Sequence, residues 1–117
     1  TEATLNKANL TGADLTGADL TEATLNKANL TGVDLTDATM TRADLTGANL
    51  TGAAMKIINL SEAKLIGVNL TGANLSGADL TDANFAGATT EKSYWGAAIF
   101  CRTRMPDNTV DNSGCSN

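Results

Sequence analysis

The sequence predicts an all-β solenoid, in which the chain winds into stacked coils with four short sides each. One observation is that an apolar residue recurs at every fifth position from Leu5 to Phe85. Another is that residues 1–15 match residues 21–35 at every position but one, where Ala13 faces Val33. The shorter period gives the length of a side and the longer interval gives the length of a coil. Four five-residue units therefore close one twenty-residue coil.

Each five-residue unit has two apolar positions. Two residues before the central apolar residue stands Ala, except at Val33, Ile58 and Val68. This spacing excludes an amphipathic helix, whose apolar residues recur at i, i+3, i+4 and i+7. It also excludes a plain strand, because side chains alternate with period two and an odd period would flip the buried face in every unit. The chain must turn once per unit. The residues predicted to point inward include Ala8, Leu10, Ala28, Leu30, Ala48 and Leu50.

The unit ANLTG defines the second side of the predicted coil. It occupies residues 8–12, 28–32 and 48–52 and returns as VNLTG at 68–72. Its stacking predicts an uncharged face of two columns, which are Asn9, Asn29, Asn49 and Asn69 beside Thr11, Thr31, Thr51 and Thr71. Stacked Asn side chains can hydrogen-bond along an axis, so the columns favour a structural ladder. A partner-docking face and an ice-binding face are the alternatives.

Composition and charge restrict the classes of function. Hydrophobic residues make up 42% of the 117 residues but aromatic residues only 3%, which suits a narrow core of Leu and Ala. The net charge of −5 lies on residues 1–89, and residues 90–117 are neutral. An acidic surface without a basic patch disfavours direct binding to nucleic acid or to an anionic membrane. No apolar run is long enough for membrane insertion.

The sequence also disfavours catalysis. It contains no His, and therefore neither the commonest general base nor an imidazole metal ligand. Its outward Asp residues belong to repeated units and lack the enclosed pocket that would shift a pKa usefully. We therefore predict a protein that is not an enzyme, with no catalytic residue, no bound metal and no cofactor.

The units resemble those of a known family. Ala13-Asp14-Leu15-Thr16-Gly17 is similar to the tandem repeat of the pentapeptide-repeat family, and the resemblance covers residues 1–89. It implies a right-handed quadrilateral β-helix. It also implies a non-enzymatic structural or protein-interaction module with an unidentified protein partner. Because some members mimic DNA and bind gyrase, an acidic DNA mimic that binds such a nucleic-acid enzyme is the alternative function.

Residues 90–117 differ in composition and are expected to form a C-terminal cap. They contain the single Trp, the single Tyr and the single Pro. Large aromatic side chains at the end of a solenoid would cover its exposed core. We expect a helical turn in TTEKSYW, with Thr89 or Thr90 as its N-cap, and one more unit at Ala98-Ile99-Phe100. This tail is similar to those of cyanobacterial and plastid members of the family.

The two cysteines predict a disulfide in the cap. Pro106-Asp107-Asn108 is a turn signal, and a hairpin turning at residue 108 would place Cys101 opposite Cys115. Two reduced thiols in a cytoplasmic protein are the other interpretation. The compartment follows from the answer, since a bonded pair favours periplasm or thylakoid lumen and a reduced pair favours cytoplasm.

The N-terminal coil carries the last expectation. The pattern begins at once, so nothing in the sequence covers Leu5, Leu10, Leu15 and Leu20. An open strand edge of this kind invites pairing with another chain. We expect either a missing leader or an end-to-end homodimer through this coil.

Overall fold

The computed structural model describes residues 3–115, and most of them form a four-sided β-helix. Parallel bridges join each outward residue to the residue twenty positions later, from Thr4 with Thr24 to Asn84 with Arg104. Asn29 lies between Asn9 and Asn49, as the period predicts. Backbone hydrogen bonds connect the coils: the N–H of Asn29 donates to the carbonyl of Ala8 at 2.8 Å, and that of Asn49 donates to the carbonyl of Ala28 at 2.9 Å. The predicted coil of four units is confirmed.

The corners of the coil from residue 5 to residue 98 are β-turns with one recurring geometry. The N–H of Ala13 donates to the carbonyl of Leu10 at 3.0 Å, and between them Gly12 has a φ of 67°. A positive φ at this place is the signature of a type II turn and explains the frequent Gly after Thr. Other residues also take this left-handed conformation at corners, among them Lys7, Glu22, Lys27, Asp37, Arg42 and Ile57.

A substitution at one corner measures the cost of this conformation. Gly52 has a φ of 67°, and no atom lies within 4 Å of the position its Cβ would take. We expect Gly52→Val to lower the free energy of unfolding by about 1–2 kcal/mol, because the left-handed region is unfavourable for a β-branched residue. Urea denaturation would measure it. Gly52→Asn is the matched control and should lose less, since Asn tolerates this region; equal losses would show that the backbone is not the cause.

The core is a stack of Leu and Ala side chains along the axis of the helix. The central residues from Leu25 to Phe85 are fully buried, and so are the Ala residues two positions before them. In the first coil, Leu5, Leu10 and Leu15 are only partly buried. Where Ile58 and Val68 replace Ala, the turn hydrogen bond before them lengthens to 3.3 Å from the usual 3.0 Å or so. Val33 also replaces Ala, yet its turn bond stays at 3.0 Å, so a larger side chain does not by itself lengthen this bond.

The expected helical turn in TTEKSYW is wrong. Thr89 bridges Asn69 and Tyr94 bridges Asn74, so this segment forms two further sides of the coil. The N–H of Ser93 donates to the carbonyl of Thr90 at 3.1 Å in the same turn as at every other corner. The coil below dictates this course, because it offers a row of backbone groups that a helix would leave unpaired.

The chain leaves the coil through a short hairpin. Strand β1 (Thr103–Arg104) pairs antiparallel with strand β2 (Val110–Asp111). Thr103 lies opposite Asp111, so the hairpin is centred on Asp107 and not on residue 108. The N–H of Asn108 closes the predicted turn by donating to the carbonyl of Met105 at 2.8 Å.

Aromatic rings cover the C-terminal end of the core. Trp95 meets Phe85 edge-on with ring centroids 5.2 Å apart, and Phe100 stacks on Trp95 at 5.8 Å. The indole N–H of Trp95 donates to the hydroxyl of Ser93 at 2.6 Å. The backbone here continues the coil, but the aromatic side chains cover the end of the core, as expected of a cap.

Candidate interaction surfaces

The Asn and Thr columns of the second side are present, but their hydrogen bonds run within each coil. Asn49 Oδ1 accepts from the backbone N–H of Thr51 at 3.0 Å and from its hydroxyl at 2.6 Å. The same pair of bonds forms at Asn9 with Thr11, Asn29 with Thr31, and Asn69 with Thr71. In residues 3–115 no bond joins two Asn amides of this column, so the predicted side-chain ladder along the axis is wrong. The spacing of Asn and Thr, two residues apart, is the signal of an Asx turn.

Asp residues use the same arrangement, and it lowers their pKa. Asp19 Oδ1 accepts from the hydroxyl of Thr21 at 2.6 Å and from its backbone N–H at 3.1 Å. These bonds, the hydroxyl first, hold the pKa of Asp19 below its ordinary value. Thr16 and Thr36 lower the pKa of Asp14 and Asp34 in the same way. These carboxylates therefore stay charged in mildly acidic solution.

The role of the hydroxyl can be tested by removing it. Thr21→Val keeps the shape of the side chain and the backbone N–H, so we expect the pKa of Asp19 to rise towards, but not reach, its ordinary value. Because the folded pKa is depressed, the stability from this bond is present above about pH 4 and is lost as the pH falls through the folded pKa. NMR titration of the carboxyl carbon measures the shift. Thr31→Val, beside the neutral Asn29, is the control; an unmoved Asp19 in Thr21→Val would contradict the assignment.

Charged residues are distributed unequally over the four sides. The four units of the second side, from 8–12 to 68–72, contain no charged residue. The first side carries Lys7, Lys27 and Lys64. At the fourth corner Arg42 pairs with Glu22 at 3.3 Å and with Glu62 at 3.6 Å. In the same column Arg102 holds Asp82 at 2.7 Å. Such exposed pairs contribute little stability, so this corner is mainly a neutralised surface.

Exposed large apolar side chains lie mainly towards the C-terminal end. Ile57 and Tyr94 are on the third side, with 57% and 61% of their surface exposed. Ile66 is on the first side, so it and Ile57 form no common patch. Ile99 lies on the fourth side and Val110 on the hairpin. Tyr94 was expected inside the cap and is instead the most exposed of the five.

The structure joins Cys101 to Cys115, with their Cα atoms 4.7 Å apart. Neighbouring hydrogen bonds hold the same strands together. The backbone N–H of Arg102 donates to Asn112 Oδ1 at 2.9 Å, and that of Gly114 donates to the carbonyl of Phe100 at 2.7 Å. The disulfide therefore closes a loop that is already fastened to the last complete coil.

Residues 3–115 enclose no detectable cavity, and no three acidic, Cys or His side chains among them are grouped to hold a metal ion. No helix in that range has the length and hydropathy of a membrane-spanning segment. The features that a ligand would meet are the outer faces of the coil.

Repeat geometry of this kind defines a class of protein, and comparison with known sequences gives the family. The model for pentapeptide repeats matches residues 1–37, 25–56 and 58–89, and the chain belongs to this family. A search of curated proteins gives no significant match. Members of the family are generally structural or interaction modules rather than enzymes.

Solved structures confirm the right-handed quadrilateral β-helix. The pentapeptide repeat protein Rfr23 from the cyanobacterium Cyanothece 51142 is 26% identical, with a TM-score of 0.82 over 83% of this chain and 80% of its own. A pentapeptide repeat protein from the thylakoid lumen of Arabidopsis thaliana is 35% identical, with a TM-score of 0.66 over 74% of this chain and 63% of its own. The plasmid-mediated fluoroquinolone resistance protein QnrB1, in a trypsin-treated form, is 20% identical with a TM-score of 0.53 over 99% of this chain and 62% of its own, a likeness of fold alone.

Proposed function

We propose that the protein is a non-enzymatic interaction module that binds a protein partner through one side of its coil. The observation that carries the proposal is the difference between the four sides of one rigid stack. One side is neutral, one is basic at Lys7 and Lys27, one is acidic towards its N-terminal end, and one has its corner charges paired. A rigid scaffold with distinct faces can bind a partner without the entropic cost of ordering loops.

Site-specific photocrosslinking tests this proposal. A photoreactive amino acid is placed on one side at a time, at Lys64, Thr51, Ser76 or Asp79, and the full chain is irradiated in cells that contain it. We expect discrete protein adducts from one or two sides and none from the others. Adducts of equal intensity from all four sides, or no adduct from any, would contradict a specific interaction module.

The alternative functions have weaker support. An acidic DNA mimic that binds a gyrase-like enzyme needs carboxylates around the rod, yet the second side is uncharged and the first is largely basic. An ice-binding face would use the hydroxyls of the Thr column, but each of these donates its proton to Asn in the same coil. Neither alternative has an observation that favours it over a protein-interaction face.

Compartment and self-association are further proposals. The bonded cysteines favour an oxidising compartment, such as periplasm or thylakoid lumen, over cytoplasm. The half-buried Leu5, Leu10 and Leu15 support an end-to-end homodimer through the N-terminal coil. Light scattering over a range of protein concentrations would reveal that dimer, and a constant monomer mass would exclude it.

A further inference from the structure

Ile57 is an unusual residue for the left-handed conformation that the corners of the coil adopt. Its φ of 50° lies in the left-handed region, where a β-branched residue is a genuine outlier. More than half of its surface is exposed, so burial does not offset the strain. Gly77 occupies the same corner in the next coil, and Gly17 occupies it two coils before, both without this cost. Strained residues of this kind concentrate at functional sites, and Ile57 is therefore a reason to look for one nearby.

The residues that neighbour Ile57 towards the C-terminal end of the third side are mostly small. A Cβ on Gly77 would lie 3.1 Å from Ile57 Cγ2, so the Ile57 side chain leans over that glycine. In the next coil Ala97 follows in the same column. The ring of Tyr94 lies against the adjacent Gly96, where a Cβ would be 2.7 Å from Tyr94 Cζ. We call these residues the third-side strip: two large apolar side chains about 10 Å apart along the axis, with small residues between them.

Unpaired carboxylates adjoin the strip on the same side. Asp37 precedes Ile57 in the corner column, and Asp34 and Asp14 stand in the column of Tyr94. Within residues 3–115, Asp14, Asp34 and Asp37 form no ion pair, in contrast to the paired acids of the fourth corner. Lys56 is the only cation of this side. The third side is thus acidic in its N-terminal half, whereas its C-terminal half carries Ile57 and Tyr94 and, apart from Lys56, no charge.

We propose that the third side binds a segment of a partner protein that combines a large apolar side chain with Lys or Arg. The apolar side chain would pack between Ile57 and Tyr94, over Gly77 and Ala97. The basic group would reach Asp34 and Asp37, about two coil spacings, or roughly 10 Å, away. In an extended segment this distance corresponds to about three residues.

Charge complementarity distinguishes a partner segment from the other two candidate occupants of the third side, a nucleic acid and a second copy of this chain. A nucleic acid would be repelled by the three carboxylates. A second copy of this chain also fits poorly. Two third sides packed in parallel would place acids against acids, and packed antiparallel they would place the strip of each copy against the acids of the other. A basic, apolar segment satisfies both halves at once.

The test is selection of peptides from a random phage-displayed library on the full chain, followed by affinity measurement on variants. Ile57→Gly restores the usual corner residue, and Tyr94→Ser removes the exposed ring. Asp34→Asn with Asp37→Asn removes charge at constant shape. Ile66→Thr and Asp79→Asn are matched controls on other sides. Circular dichroism would establish that every variant retains the fold.

We expect enriched peptides that pair an apolar residue with Lys or Arg. Their affinity should fall about tenfold in Ile57→Gly and in Tyr94→Ser. The double Asn variant should weaken binding most at low salt, with the difference narrowing as salt is added. The controls should bind as the parent does. This inference rests on the proposed function, but the two are contradicted by different results. Enriched peptides insensitive to the third-side changes, or no enrichment, would overturn it, whereas the crosslinking experiment judges the interaction module itself.

Discussion

Leu50→Ala is expected to lower the free energy of unfolding by about 2–5 kcal/mol. The Leu50 side chain is fully buried between Leu30 and Leu70 in the middle of the stack. Regular backbone hydrogen bonds fix the coil spacing, so the backbone cannot close the cavity that the substitution leaves. Since each coil contacts only its neighbours, the loss weakens two successive interfaces and no distant contact compensates. Urea denaturation followed by circular dichroism measures the change.

Leu10→Ala is the matched control, because Leu10 belongs to an identical ANLTG unit on the same side. It lies in the first coil and is only partly buried. The transfer and cavity terms are both smaller there, so its loss should be clearly less than that of Leu50→Ala. Equal losses at the two positions would mean that coil position does not set the stability of a unit.

The coil could be predicted because its period is a geometric requirement. A unit with two inward residues must turn before the next begins, and identical units must stack for Asn29 to lie between Asn9 and Asn49. The inward set was therefore readable from Ala and Leu alone. The left-handed corners were not part of the prediction, although Gly12 and its equivalents are a local signal for them. They could not be inferred at Ile57, because a β-branched residue gives no local signal for a positive φ.

The wrong predictions fall where two alternative arrangements can satisfy the hydrogen bonds of the same polar groups. Asn29 could bond to the next Asn along the axis or to Thr31 two residues later. The shorter loop is formed in the structure, because closing it orders fewer residues. In TTEKSYW the capping pattern favoured a helix, but the coil below already presents partners. Tyr94 donates to the carbonyl of Ala73 at 2.9 Å, and its own carbonyl accepts from Leu75 at 2.7 Å.

The wrong prediction of a helical turn also concealed the third-side strip. With a boundary at residue 90, Tyr94 belonged to a cap and was expected to cover the core. In the coil that the structure continues through this segment, Tyr94 stands just before the central residue of its five-residue unit and faces outward. Trp95 is the central residue and points inward. Only then do Ile57 and Tyr94 share a side. The sequence contained both residues, but their proximity follows from tertiary stacking.

Removing the disulfide is the change with the next largest expected effect. Cys101→Ser with Cys115→Ser should lower the stability of the C-terminal end by about 3 kcal/mol, the chain-entropy estimate for a loop of this length. The two cysteines are 14 positions apart in the sequence, and their bond connects the last coil to the segment after β2. Without it, that segment is held mainly by the hydrogen bonds of Gly114 and Asn112. Trp95 fluorescence during urea denaturation reports this end, because the indole lies between Phe85 and Phe100.

Reductant separates the effect of the bond from the effect of the serines. The parent chain treated with reductant should unfold at the same urea concentration as the untreated double variant, whereas the double variant should not respond to reductant at all. The loss should be confined to the C-terminal end, because the effect of a local change in a solenoid decays through successive neighbours. Leu50→Ala should accordingly add its own loss to that of the double variant, since residues 50 and 101 share no contact. Two free thiols in freshly isolated native protein, found by mass spectrometry without reduction, would remove both the stabilisation and the argument for an oxidising compartment.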